Sequence, residues 1–428
     1  MATVQTREYR KARVNHSIGY TVDSIRVAER VRRIKPSPST SAAERANQLR
    51  REGRSIVNLV VGEPDFDTPL HIRQAAGRAM EAGATRYTSL AGTLDLRRAI
   101  AAKLARENGL DHGPDEIIAT NGAKSAIYSA LAATLEPGDE VVIPAPYWVS
   151  YPDMVLACDG VPVSVSCPEE QGFKLTPAGL DAAITERTRW VILNSPSNPT
   201  GATYTSAEYR GLAEVLARHP SVLVMTDDIY EHIVYDHERF EGGTAPHLLT
   251  AAPELRDRTL AINGVSKTYA MTGWRVGWAA GPRSLVRALD TFLSQAAGNC
   301  CSISQAAAAA ALDGDQGFVA ESVAVYRERR DATAAGINAI PGLSCGLPEG
   351  AFYLFVNCGA LIGRMTPTGR RLDTDGDVVM WLLETAGVAV VAGAAYGLSP
   401  YFRLSIATSL ETLDDGVARI ARAVADLT

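Results

Sequence analysis

From residue 41 onward the chain alternates helical stretches with short β-branched runs, and this alternation restricts its fold more tightly than any other feature. Helical spacing of apolar residues covers 70–82, 93–107, 123–135 and 206–218. Between and after these lie EIIAT, DEVVIPA, VPVSVS, RWVILNS and SVLVMTD, each bounded by Gly, Pro, Asn or Asp. Parallel strands need crossovers long enough to hold a helix, so the alternation predicts an α/β fold with a largely parallel sheet covered by helices. Near residue 310 the pattern shifts to a long helical segment, then PEGAFYLFV, a helix near 376–386, GVAVVAG and YFRLSIAT. That order predicts a smaller α+β domain.

At 428 residues the chain exceeds what one core of ~250 to 300 residues accommodates, which calls for two domains and a crevice. The expected division is a large domain over 66–310 and a small domain built from 35–65 and 311–428. Residues 1–34 are polar and rich in arginine, with Arg7, Arg10, Arg13, Arg26, Arg30, Arg32 and Arg33 leading into KPSPSTS. They read as a flexible arm, with a plain solvated tail as the alternative.

The net charge of −6 gives no electrostatic reason for nucleic-acid binding, so small molecules are the expected partners. Six cysteines (Cys158, Cys167, Cys300, Cys301, Cys345, Cys358) show no CxxC spacing and no neighbouring His tract. They indicate neither a metal site nor a disulfide framework, and reduced, mostly buried thiols are expected. No apolar run reaches the ~18 residues of a membrane span, and no apolar leader opens the chain, so a cytoplasmic location is expected.

In open α/β sheets, ligands bind beyond the carboxyl ends of the strands, and four loops there carry unusual chemistry. NGAKSAIYSAL follows a strand and opens a helix whose buried stripe would be Ile127, Leu131 and Leu135. Its start, Gly122, Ala123 and Lys124, offers backbone N–H groups at the positive end of a helix dipole, which suits a phosphate. A glycine at a strand-to-helix turn is also common for its own sake. RWVILNSPSNPTGATY sets Asn198 in a proline-held turn, where its amide could meet an oxyanion or simply shape the turn. VLVMTDDIYEHIVY ends an apolar strand on Asp227, which needs a partner such as a protonated pyridine nitrogen, unless it caps a following helix; Tyr230 follows on a similar face. INGVSKTYAMTGWRVGWAAGP carries Lys267 among apolar Val265, Tyr269 and Met271, with Arg275 eight residues on. Such surroundings lower an amine's pKa and make it a nucleophile toward an aldehyde, and the glycine-rich continuation suggests a loop wrapped around an anion.

The ordered set GAK, NPTG, DxxY, SKxxxMTGWRxGW and a late FRLS resembles fold-type I, class I/II pyridoxal-phosphate-dependent aminotransferases, in particular the bacterial aspartate aminotransferase branch. GEPDFDTP, RYTSLAGTLDLRRAI, PYWVSYPDMV, PEGAFYLF and GVAVVAG extend the resemblance over nearly everything after residue 35. It implies a mostly parallel seven-stranded sheet sandwiched by helices, pyridoxal 5'-phosphate as cofactor, and amino transfer between an L-amino acid and a 2-oxo acid such as 2-oxoglutarate. Lys267 would carry the cofactor as a Schiff base and move the proton at the substrate Cα. Asp227 would keep the pyridine nitrogen protonated, Tyr230 and Asn198 would bond the ring's phenolic oxygen, and Trp148 would stack on the ring. Gly122, Ala123, Lys124 and Arg275 would hold the phosphate. Tyr87 would reach the phosphate of a neighbouring subunit, making the protein a homodimer. Arg403 would clamp the substrate α-carboxylate beside Gly62 and Asn198, and Lys35 and Lys124 would select an acidic side chain.

Two departures bear on substrate. Where relatives carry a Ser/Thr-rich turn near the dimer interface, this chain reads SQAAGNCCSISQ, with Ala297, Gly298, Asn299 and Cys300. The N-terminal arm is also longer than usual. They keep open a pyridoxal-phosphate enzyme of the same fold that performs elimination, replacement or carbon–carbon bond formation. A transcription regulator with an aminotransferase-like sensing domain is disfavoured, because the arm is shorter than the ~50 residues of a small DNA-binding domain.

Overall fold

The computed structural model describes residues 26–36, 38–235 and 243–428. Its strands are β1 (Val57–Asn58), β2 (Ile117–Thr120), β3 (Glu140–Ala145), β4 (Val161–Ser166), β5 (Thr188–Asn194), β6 (Leu223–Asp227), β7 (Thr259–Gly264), β8 (Gly277–Ala280), β9 (Tyr353–Asn357), β10 (Val388–Ala389), β11 (Val391–Ala392) and β12 (Tyr401–Ser405). Seven of them form one sheet in the order β2-β8-β7-β6-β5-β3-β4. Only β8 runs against its neighbours β2 and β7, so the sheet is mostly parallel, as expected.

Both faces of this sheet are buried, which explains why its central strands read as continuous apolar runs. Along β5, Val191 and Leu193 pack into one cluster with Leu104, Leu212 and Ala308. The intervening Trp190 and Ile192 enter the opposite cluster with Ile127, Leu131 and Leu289. The predicted stripe Ile127, Leu131 and Leu135 is buried. Helices cover the sheet at Leu70–Glu81, Leu94–Asn108, Ala123–Thr134 and Ser206–Ala217, within a residue or so of their predicted spans. Their starts are chemically fixed: the Thr93 hydroxyl accepts from Leu96 N, and Thr205 with Glu208 forms a capping box.

Beyond residue 310 the long helix Gly317–Asn338 and the helix Leu410–Ala425 flank a second layer. There β9 and β11 pair antiparallel with β12, while β1 pairs parallel with β10. Val57, Leu59, Phe352, Leu354, Val388, Phe402 and Leu404 share one core cluster, so the residue 57–59 segment packs with the C-terminal elements. Residues 1–25 of the expected arm lie outside the described residues. Its described part includes a short helix, Glu29–Arg33, which lies against the helix Ser150–Ala157; Arg33 meets Asp159 there. Among the described residues no disulfide is formed; Cys167, Cys300, Cys345 and Cys358 are buried, Cys158 is half-buried and Cys301 is exposed.

Candidate active site

The parallel strands bring β5, β6 and β7 side by side, with Asn194 opposite Asp227 and Asp227 opposite Ile262. Their carboxyl ends open into a cavity of about 250 Å³. It is lined by Gly62, Ala123, Lys124, Trp148, Asn198, Asp227, Tyr230, Lys267, Arg275 and Arg403 among others. Loops distant in sequence, each singled out for separate reasons, therefore meet at one place.

Lys267 sits in the loop that follows β7. Buried Val265, Tyr269 and Met271 anchor that loop, and Ala270 and Arg275 adopt left-handed conformations at φ 50° and 55°. Such positions persist only when neighbours hold them. Here the Thr68 hydroxyl donates to Ala270 O at 2.7 Å and accepts from Trp274 Nε1 at 3.0 Å. The Lys267 amine donates to Gly62 O at 2.6 Å. Burial pushes its pKa down to about 8, with Glu63 partly opposing and Arg275 and Arg403 assisting.

Asp227 is 4% exposed. No helix follows it, so it is not an N-cap; the chain runs instead into the turn that carries Tyr230. Its Oδ2 accepts the Tyr151 hydroxyl at 2.5 Å, while buried Oδ1 has no hydrogen-bond partner. Burial raises its pKa to about 6, against the lowering influence of Tyr151. A buried carboxylate oxygen left without a donor is costly, so it marks a place where a ligand proton belongs. Asn194 braces the same corner: its Nδ2 donates to Asp227 O at 2.8 Å and its Oδ1 accepts from Asn198 N at 2.9 Å.

At the opposite end, Gly122 has φ +85° and caps the helix Ala123–Thr134. A Cβ on Gly122 would strike the Arg275 guanidinium, and one on Gly277 would strike Ala123 N. Glycine at these two positions lets the helix N-terminus, the sheet and Arg275 close on each other, leaving a helix start beside a fixed cation. Arg275 Nη1 donates to Thr272 O at 2.8 Å. Lys124 Nζ donates to Ser150 Oγ at 3.2 Å and lies 4.8 Å from the Trp148 ring centroid; burial lowers its pKa.

Arg403 comes from β12 and is 3% exposed. Its Nη1 donates to Asn198 Oδ1 at 3.0 Å and its Nη2 to Val60 O at 2.7 Å, while buried Nε finds no partner. The guanidinium stacks 4.3 Å from the Tyr353 ring centroid. Tyr353 in turn bonds Tyr230 hydroxyl to hydroxyl at 2.9 Å.

Two predicted residues stand apart from this chain's cavity lining. Tyr87 is 98% exposed, and exposed Lys35 meets Asp153 through its main-chain N–H at 3.1 Å. Residues 296–301 also contribute no lining residue to the cavity. Sequence reasoning missed Tyr151, Asn194, Tyr353 and Ser266. Tyr151 was detectable in principle, since a tyrosine in an apolar helix beside Trp148 needs a buried acceptor for its hydroxyl. Among the described residues, no group of three or more His, Cys, Asp or Glu is placed to hold a metal ion, and no helix is long and apolar enough to cross a membrane.

The family profile described as aminotransferase class I and II matches residues 54–420. An aspartate aminotransferase of Rhizobium meliloti (strain 1021) is 52% identical over 396 residues, covering 92% of this chain and 95% of that protein. An aspartate/prephenate aminotransferase of Cereibacter sphaeroides is 51% identical over 394 residues, covering 92% and 97% respectively. Among solved structures, the aspartate aminotransferase of Rhizobium meliloti superposes with a TM-score of 0.91 at 50% identity, covering 95% of this chain and 100% of that one. The Thermus thermophilus aspartate aminotransferase with maleate superposes at 0.86 and 38% identity, covering 94% and 100%.

Proposed function

The chain belongs to the class I and II aminotransferases and is a pyridoxal-phosphate-dependent enzyme of the aspartate aminotransferase branch; on that premise we propose that its cleft moves the amino group of an acidic L-amino acid to a 2-oxo acid. One observation carries the assignment of roles. A lysine amine with a pKa near 8 and a buried aspartate with a donorless oxygen line the same cavity.

When bound, the cofactor supplies an aldehyde for amine capture and a ring that accepts electrons from the substrate Cα. Lys267 would be the amine that holds the cofactor's aldehyde, and its side chain would accept and return a proton at the substrate Cα, work suited to a base near neutral pKa. Asp227, whose Oδ1 has no partner, would accept a hydrogen bond from the ring nitrogen and hold a proton there. Tyr230 and the Asn198 amide would bond the phenolic oxygen, and Trp148 would stack on the ring. The main-chain N–H groups at the helix start of Gly122, Ala123 and Lys124 and the Arg275 guanidinium would hold the phosphate. Arg403 takes the α-carboxylate beside Gly62 and orients Cα, and its unpaired Nε supports that role.

With Arg275 and Arg403 committed, Lys124 is the lining cation left for a second carboxylate, and Lys35 is proposed to assist it. Aspartate and prephenate, the substrates in the relatives' names, are both dicarboxylates. We further propose a cytoplasmic homodimer in which Tyr87 reaches the other subunit's phosphate, and a division at residues 66 and 310 that lets the small domain carry Arg403 toward the cofactor. Mixing the holoenzyme with L-aspartate, and no oxo acid, should convert the cofactor stoichiometrically to its amine form, read as loss of the visible band. L-glutamate should behave alike and L-alanine far more slowly. Equal rates for alanine and aspartate would overturn the acidic specificity, and a released keto acid with unchanged cofactor would overturn amino transfer.

A further inference from the structure

Behind the cavity lies a buried polar cluster that the proposed chemistry does not use. Lys103, 1% exposed, contacts Glu231, 3% exposed, and donates to Asn108 Oδ1 at 2.6 Å. Glu231 also accepts from Asn108 Nδ2 at 2.7 Å and from Asn263 Nδ2 at 2.5 Å. Beside it, the His232 ring bridges Glu107 Oε2 at 2.8 Å and the Thr268 hydroxyl at 3.2 Å. Glu107 is further paired with Lys103 at 3.4 Å and with Arg106.

The placement of these residues is systematic. Tyr230 faces the cavity and the next residue, Glu231, faces the cluster; Lys267 faces the cavity and the next residue, Thr268, meets His232. The cluster therefore grips, from behind, both segments that present reactive groups. Ionic states follow from the surroundings. Burial alone would raise the Glu107 carboxyl, but His232 and Lys103 outweigh it and hold the group at about 2. Glu107 is thus an acceptor only, so His232 Nε2 carries a hydrogen toward it, while the ring's Nδ1 shares a hydrogen bond with the Thr268 hydroxyl. Thr268 is buried at 4% and lines no part of the cavity, so this hydroxyl, imidazole and carboxylate cannot act as a nucleophilic triad on a substrate.

We propose that His232, held by Glu107, is a positioning residue that fixes Thr268 and thereby the main chain of Lys267. This rests on the assignment of Lys267 as the cofactor-bearing amine. The need for such a grip is visible in the loop itself, where Ala270 and Arg275, three and eight residues after the lysine, are held at positive φ. Thr68 secures the Ala270 end, and the His232 contact secures the end beside the lysine.

Thr268→Val and Thr268→Ser separate this role from simple packing, because valine keeps the branched shape without the hydroxyl and serine keeps the hydroxyl that bonds His232. In holoenzyme preparations, Thr268→Val and His232→Phe should move the pH midpoint of the visible cofactor band by about half a unit or more. Both should lower kcat by about tenfold or more with KM for the amino acid nearly unchanged, the pattern of a displaced reactive group with intact substrate binding. Thr268→Ser should restore both properties. If His232→Phe fails to fold, the threonine pair alone decides. A lower melting temperature with the wild-type midpoint and kcat in Thr268→Val would overturn the positioning role and leave a structural one. Borohydride reduction of the wild-type protein followed by peptide mapping separates the two levels: a cofactor adduct absent from residue 267 sinks the site assignment and this proposal with it, whereas an adduct at 267 with an indifferent Thr268→Val sinks only the latter.

Discussion

Lys267 and Asp227 are both shifted toward neutrality by burial, one from above and one from below. An ordinary lysine has about half its amine uncharged only near pH 10.4, whereas at position 267 that point falls near pH 8. Uptake of added cofactor by the cofactor-free protein should therefore accelerate as pH rises through about 8 and then level off. Stopped-flow absorbance checks this, and a rate still climbing steeply above pH 10 contradicts the lowered value. Tyr151 acts in the other direction: its hydroxyl lowers the Asp227 pKa, so Tyr151→Phe raises it further and leaves less carboxylate at neutral pH. The variant should bind cofactor on the order of tenfold more weakly, and the deficit should widen as pH falls and close as it rises. Equilibrium dialysis across pH reads it, and wild-type affinity throughout would count against the coupling. The contrast between these two residues also shows what a sequence discloses. Lys267 announced itself because charge amid Val265, Tyr269 and Met271 and before Arg275 has few packing explanations. Tyr151, Tyr353 and Asn194 did not, since buried tyrosines on apolar elements and an asparagine at a strand end are ordinary core and turn residues until the fold shows their partners.

Among the elements, legibility followed the strength of local signals. The strands β3 to β6 are β-branched and bounded by turn residues, and the helices from Leu94 and Ser206 begin at threonine caps, so both kinds were readable. The strands β7 and β8 were not among the predicted runs. Their sequences TLAING and GWAA are short of β-branched residues, and their pairing is decided by neighbours across the sheet. The same scarcity has a function at Gly277, where β8 passes the start of the helix Ala123–Thr134 so closely that a Cβ would overlap Ala123 N and crowd Gly122. Gly277→Ala must push the helix start away from the sheet, at a cost of about 1 to 3 kcal/mol for an overpacked contact. Because that helix start is the proposed phosphate seat, the variant should lose cofactor phosphate affinity as well as thermal stability. A matched comparison with inorganic phosphate and with the phosphate-free aldehyde distinguishes the effects: the substitution should weaken binding of the phosphorylated cofactor more than of its dephosphorylated analogue. Equal weakening of both would show that the damage is general.

For the molecule as a whole, the cavity of one chain includes Lys267 but not Tyr87, whose ring stands 98% exposed. A tyrosine so fully open, in a segment bearing the family's RYTSLAGT pattern, is explained if it completes a site on a second copy. In a two-fold dimer the exchange is mutual, each site taking Lys267 from one subunit and Tyr87 from the other. That geometry makes a prediction no single-chain account shares. The Lys267→Ala protein should be inactive, and a Tyr87 truncation should be strongly impaired in holding cofactor. When the two variants are unfolded together, refolded and supplied with cofactor, about half of the dimers are mixed, and each mixed dimer has one site bearing both lesions and one bearing neither. About a quarter of all sites are then intact, so activity should return to roughly that share of wild type. If each site were built from one chain, no mixed assembly could contain an undamaged site, and activity would stay at the average of the separate variants. Titrating the ratio of the two proteins strengthens the distinction, because recovery that depends on pairing peaks at equal amounts, whereas simple mixing changes linearly with composition.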